Sequence, residues 1–166
     1  MYHPRRTLLS GYAAIAICAL ALVTGCATTP APTPLASTVA ATPQLQTLSK
    51  LLADAGLTDT LNGTGPFTLM APSDEAFKAV PAKTLAELAA DKNLLKSVLS
   101  FHVLPSKLMA ADVKNGNLKS VQGANLALAR AGSFVTVEDA VVTQADVSAS
   151  NGVVHIIDKV LMPPKR

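Results

Sequence analysis

The chain has 166 residues, 49% of them hydrophobic and 15% charged, which supplies a core and excludes a disordered polyampholyte. There is no Trp and few aromatics, so Leu, Val, Ile and Ala must fill that core. The formal charge of +3 invites a nucleic-acid partner, but Arg5 and Arg6 lie in a segment that reads as removable, and the remaining 12 basic residues face 11 acidic ones. A net charge of +1 spread along the chain is not the clustered basic face that nucleic acid requires.

Residues 1–25 have the order of a secretory signal: Arg5 and Arg6, then an apolar run from Gly11 to Val23, then small residues. That run is about 13 residues, roughly 20 Å as a helix, short of a ~30 Å hydrocarbon core. Leu22-Val23-Thr24-Gly25-Cys26 resembles a bacterial lipobox, which implies cleavage before Cys26 and acylation of its thiol and amine. Cys18 would leave with the signal, so the mature domain holds no free Cys, no disulfide and no thiolate metal site. The chain is therefore expected to be a secreted lipoprotein of the cell envelope. Ala27 rather than Asp follows Cys26, and by resemblance to Gram-negative lipoproteins this favours the outer membrane where the host has one.

Residues 26–43 are the lipid-bearing Cys followed by Ala, Thr and Pro, with Pro30, Pro32, Pro34 and Pro43 favouring extended backbone. Fully stretched, such a tether reaches roughly 50 Å. A folded domain is expected over 44–166. It opens with an amphipathic helix, whose face is Leu45, Leu48, Leu51, Leu52 and Ala55 and whose stop is Gly56. Residues 57–61 add a short turn, and 62–66 form a loop.

Residues 67–71 read as a buried strand, after which Ser73 is a candidate N-cap with Asp74 and Glu75 in the first turn. Thr84 and Glu87 have capping-box spacing, and Asp91 caps a further helix carrying Leu94, Leu95, Val98 and Leu99. Residues 101–104 read as strand up to Pro105, and 109–113 as a short helix. Strands are expected over 118–121, 125–129, 133–137, 140–143 and 153–162, with turns at Gly123, Gly132, Glu138-Asp139 and Ser150-Asn151-Gly152. Helices first and strands last favour an α+β fold.

Three stretches, Gly65-Pro66-Phe67-Thr68-Leu69-Met70-Ala71-Pro72-Ser73-Asp74-Glu75-Ala76-Phe77, Leu95-Lys96-Ser97-Val98-Leu99-Ser100-Phe101-His102-Val103 and Ala149-Ser150-Asn151-Gly152-Val153-Val154-His155-Ile156-Ile157-Asp158-Lys159-Val160-Leu161-Met162-Pro163, resemble the fasciclin domain family in order and spacing. The resemblance implies a wedge-shaped β-sandwich with packed helices, and a role in adhesion or protein binding at a cell surface, matrix or envelope. In animal members a Tyr-His pair and an Asp-Ile pair are tied to partner binding. The corresponding positions here are Phe101-His102 and Asp146-Val147, so the phenolic hydroxyl and one methylene are missing.

These four residues are candidate partner contacts. Each pair has a structural alternative: His102 as a buried, locally bonded imidazole, and Asp146 as a turn-stabilising carboxylate. No Gly-x-Ser-x-Gly elbow or mature Cys nucleophile is present, and no cofactor or metal is called for. The expectation is a non-enzymatic binding module, held to a membrane by lipid on Cys26 and meeting an envelope, matrix or cell-surface protein. The alternative is carriage of a small apolar ligand, a pigment or lipid, in an apolar crevice.

Overall fold

A computed structural model describes residues 33–164. The signal segment, Cys26 and residues 27–32 of the expected tether lie outside them. In chain order the elements are α1 (Leu35–Ala41), a 3-10 turn (Pro43–Leu45), α2 (Gln46–Asp54), α3 (Thr58–Asn62), β1 (Phe67–Pro72), α4 (Asp74–Lys78), α5 (Ala82–Ala90), α6 (Lys92–Phe101) and β2 (Val103–Leu104). A second 3-10 turn (Ala110–Asp112) precedes β3 (Gly116–Lys119), β4 (Asn125–Ala131), β5 (Phe134–Val137), β6 (Ala140–Ala149) and β7 (Gly152–Ile157). No helix among the described residues is long and apolar enough to cross a membrane.

The strands run in the order β2-β1-β7-β6-β5-β4-β3. All neighbours are antiparallel except β1 and β7, which pair in parallel from Phe67↔Gly152 to Pro72↔Ile157. Every residue of β7 is buried, as is β1 after Phe67, because both strands have a core on each face. Leu69, Ala71, Val154 and Ile156 face the helices, whereas Met70 and Ile157 face Leu126, Leu128, Val135 and Val137 of the folded-over β4–β5 ribbon. Strands sandwiched in this way lose the alternation of a half-exposed strand and read as continuous apolar runs. The product is the expected α+β wedge, a sandwich with helices packed on one side.

The helix starts show local and tertiary capping. Ser73 Oγ accepts from Ala76 N at 3.2 Å, and Asp91 Oδ1 accepts from Asn93 N and Leu94 N at 2.8 and 3.2 Å. The start of α2 has no side-chain cap of its own, because Leu45 stands there. Asp74 supplies one from α4, its carboxylate accepting from Thr47 N at 2.8 Å. Partial burial alone would raise the Asp74 pKa, but the hydrogen bonds from Thr47 and Gln46 outweigh it and hold the carboxyl below its ordinary 3.8.

Five expectations are corrected. The Ala/Thr/Pro segment is not extended throughout: Leu35–Ala41 is helical and docks Leu35 and Val39, both fully buried, on the helical side of the core. Its two large apolar residues sit at i, i+4, and Pro34 at the N-cap needs no N–H. Thr84 is not a cap, because α5 begins at Ala82 and places it inside the helix. Phe101 belongs to α6 and His102 is its C-cap, leaving only Val103 and Leu104 as strand. The strand expected over 140–143 continues to Ala149, whereas the last strand stops at Ile157 and residues 160–162 lie outside it. Irregularities between Val142 and Gln144 and between Gln144 and Val147 hide the two-residue period in β6.

Candidate functional site

Asp146 lies in the second irregularity of β6 with φ +59°, a left-handed conformation that Asp tolerates better than most residues. Its backbone N–H donates to His155 Nδ1 at 3.2 Å, and its Oδ1 accepts from Ala110 N at 2.8 Å. His155 Nε2 faces the Leu108 carbonyl at 2.8 Å. A ring that accepts at Nδ1 and meets a carbonyl at Nε2 must be the neutral Nε2–H tautomer. Thr68 completes the arrangement, donating to Ser106 O at 2.7 Å and accepting from Leu108 N at 2.8 Å. Thr68, His155 and Asp146 thus sew the segment after β2 onto β1, β7 and β6.

His102 makes a similar pair of bonds at the end of α6. Its Nδ1–H donates to Val98 O at 2.8 Å, and its Nε2 accepts from Leu161 N at 3.0 Å. Complete burial pushes its pKa down to about 4, with the Val98 carbonyl only partly opposing that shift. His102 therefore ties the end of α6 to the C-terminal segment as a neutral ring.

The four candidate contacts consequently separate. Phe101 is 1% exposed and His102 0%, so neither presents a surface to a partner. The pair turns the chain from α6 into β2, with Phe101 packed in the sandwich interior. Asp146 and Val147 are half-buried, and Val147 packs against the helical side of the core. Only this second pair reaches the surface, and there Asp146 Oδ1 already accepts from Ala110 N.

The described residues form an apolar groove of about 580 Å³, within the range of small-ligand sites. Its walls come from Val80 and Pro81 at the α4–α5 junction, Leu88 of α5, Leu94 and Val98 of α6, and Val160 and Met162 after β7. Leu94 and Met162 keep 40% and 44% exposure there. Glu87 and Lys159 supply the charged lining. His102 braces this wall through Leu161, which gives the imidazole an indirect part in shaping the groove. Reading residues 160–162 as strand conceals the site; the signal available is Val80-Pro81 and Met162-Pro163, apolar residues beside prolines that limit regular structure. Among the described residues no group of three His, Cys, Asp or Glu side chains is arranged to hold a metal.

The described residues form a small α+β domain: a wedge-shaped sandwich with a helical cover and an apolar groove. The chain belongs to the fasciclin domain family, whose model matches residues 43–163. It is 42% identical over 124 residues to Protein sll1483 of Synechocystis sp., covering 72% of this chain and 69% of that one. It is 37% identical over 136 residues to the cell surface glycolipoprotein MPB83 of Mycobacterium bovis, covering 79% of this chain and 61% of the relative. The transforming growth factor-beta-induced protein ig-h3 of Sus scrofa is 37% identical over 120 residues, which is 71% of this chain but 18% of that protein. Among solved structures, the FAS1 domain pair of the insect cell adhesion molecule Fasciclin I superimposes with a TM-score of 0.60 at 27% identity, over 71% of this chain and 45% of that one.

Proposed function

We propose that this chain is an envelope-anchored binding domain, attached through lipid on Cys26 and mediating adhesion or contact with an envelope, matrix or cell-surface protein. The observation that carries this reading is its membership of a family whose relatives include a cell surface glycolipoprotein and a cell adhesion molecule. The apolar groove, with Leu94 and Met162 exposed, is the contact surface. In a Gram-negative host the outer membrane is the destination. A second reading, carriage of a small apolar ligand, is supported by the volume and lining of the same groove.

The test is retention of envelope preparations from the producing organism on vesicles bearing the lipidated chain. Leu94→Glu places a charge in the groove at a position already 40% exposed, so the fold tolerates it. Retention is expected to fall about tenfold, the loss of roughly 1.4 kcal/mol of contact. Asp146→Asn keeps an acceptor for Ala110 and the left-handed tolerance, and is expected to retain binding and melting temperature. Equal retention by wild type, Leu94→Glu and an anchored control without the domain contradicts the adhesion reading. An apolar molecule extracted from wild type and absent from Leu94→Glu favours carriage.

A further inference from the structure

The chain enters the domain at one end of the sandwich, and hydrogen bonds fix that entry. Ser150 N donates to Thr33 O at 2.9 Å, and Leu35 N donates to Asn151 Oδ1 at 2.9 Å. Asn151 Nδ2 donates to Leu61 O and Gly63 O at 2.7 and 2.8 Å. The start of α1, the β6–β7 turn and the 62–66 loop therefore form one clamped end. Its exposed side chains include Thr33, Asn62, Thr64, Ser148 and Ser150, with one exposed charge of each sign, Asp59 and Lys107, beside it.

Because α1 is docked, only residues 27–32 separate Cys26 from Thr33, a covalent reach of at most about 25 Å. β1 and β7 both start at this end, at Phe67 and Gly152, and run in parallel away from it. Six residues of strand rise about 20 Å. At their far ends β1 leads into α4 and β7 into residues 159–163, two walls of the apolar groove.

We propose that this clamped end is a membrane-facing surface: the domain stands on the lipid that bears Cys26, with β1 and β7 directed outward and the groove opening away from the bilayer. The partner of the clamped end is the lipid headgroup layer. A hydroxyl- and amide-rich face whose bordering charges, Asp59 and Lys107, balance approaches the headgroups without net repulsion, and the short span keeps it there. This orientation rests on the lipid-anchor reading and deepens it, since it decides which surface meets a partner.

The experiment uses the full chain, processed and lipidated, in vesicles of phosphatidylethanolamine and phosphatidylglycerol with an energy acceptor on the headgroups. A single donor is attached through Thr64→Cys at the clamped end or Glu87→Cys at the groove; both positions are exposed, so both variants fold. Transfer from position 64 is expected to exceed that from position 87 several-fold. A flexible Gly/Ser insert between Pro32 and Thr33 is expected to erase most of the difference. Flotation with equal transfer from both positions, or stronger transfer from position 87, overturns the orientation and leaves the anchor standing. If lipid-free Cys26→Ser floats as well as the acylated chain, anchor and orientation fall together.

Discussion

Gly152→Ala is expected to destabilise the folded domain by about 3 kcal/mol or more. A Cβ at Gly152 falls inside contact distance of the Phe67 carbonyl oxygen, and lies 2.9 Å from Leu35 Cδ1. The Leu35 methyl can turn aside, but the carbonyl is backbone and cannot. Phe67 is held opposite Gly152 in the parallel register, and its N–H donates to Asn151 O at 3.1 Å. Gly65 meets the same junction from the other side, where a Cβ would fall on the Asn151 carbonyl. Overpacking against fixed backbone at the first rung of the central pair costs about 3 kcal/mol or more, a large share of a typical stability of roughly 5–15 kcal/mol. Gly56→Ala is the control: Gly56 has φ +65° but nothing within 4 Å of an added methyl. Its cost is therefore about 1 kcal/mol. Urea midpoints of the three proteins check this. A Gly152→Ala midpoint equal to that of Gly56→Ala contradicts the close approach.

The second large effect is the pH dependence set by His102. Its folded pKa of about 4 lies below the ordinary 6.5, so the unfolded chain takes up the proton more readily. The stability this contributes is complete above pH 6.5, declines as pH falls from 6.5 to 4, and is fully lost below 4. The total over that window is about 3 kcal/mol at about 1.36 kcal/mol per pH unit. Asp74 acts lower: its depressed pKa gives stability that is present above 3.8 and lost as pH drops further. Unfolding free energy measured at pH ~7 and pH ~4.5 is expected to differ markedly in wild type and much less in His102→Gln, which cannot take up a proton. The variant is also less stable at neutral pH, because the bonds to Val98 O and Leu161 N depend on the imidazole geometry. An unchanged pH profile in His102→Gln contradicts a buried neutral imidazole as its source.

What is legible in the residues is mostly local. Leu48 and Leu52 at i, i+4 place α2 against the core, Gly56 stops the chain after it, and Ser73 and Asp91 cap their helices because each acts within three residues of itself. The family motifs also locate the central strands. Features made by distant partners stay hidden. Asp74 caps a helix 27 residues away, and β1 pairs in parallel with a strand at the far end of the chain. Composition points the wrong way at α1, where Ala, Thr and Pro surround only two anchoring residues, Leu35 and Val39. The apolar neighbours of His102 suggest a buried imidazole, but its partner Leu161 is 59 residues away, and the groove it braces exists only once the tail folds back.

The measurement that bears most directly on the lipid anchor is the mass of the N-terminal peptide of the protein purified from the membrane fraction of its producing cells. That peptide is expected to begin at Cys26 and to carry acyl groups on its thiol and amine, with Cys26→Ser recovered in the soluble fraction. An unmodified Cys26, or a mature chain beginning downstream of it, contradicts the anchor on which the proposed function stands.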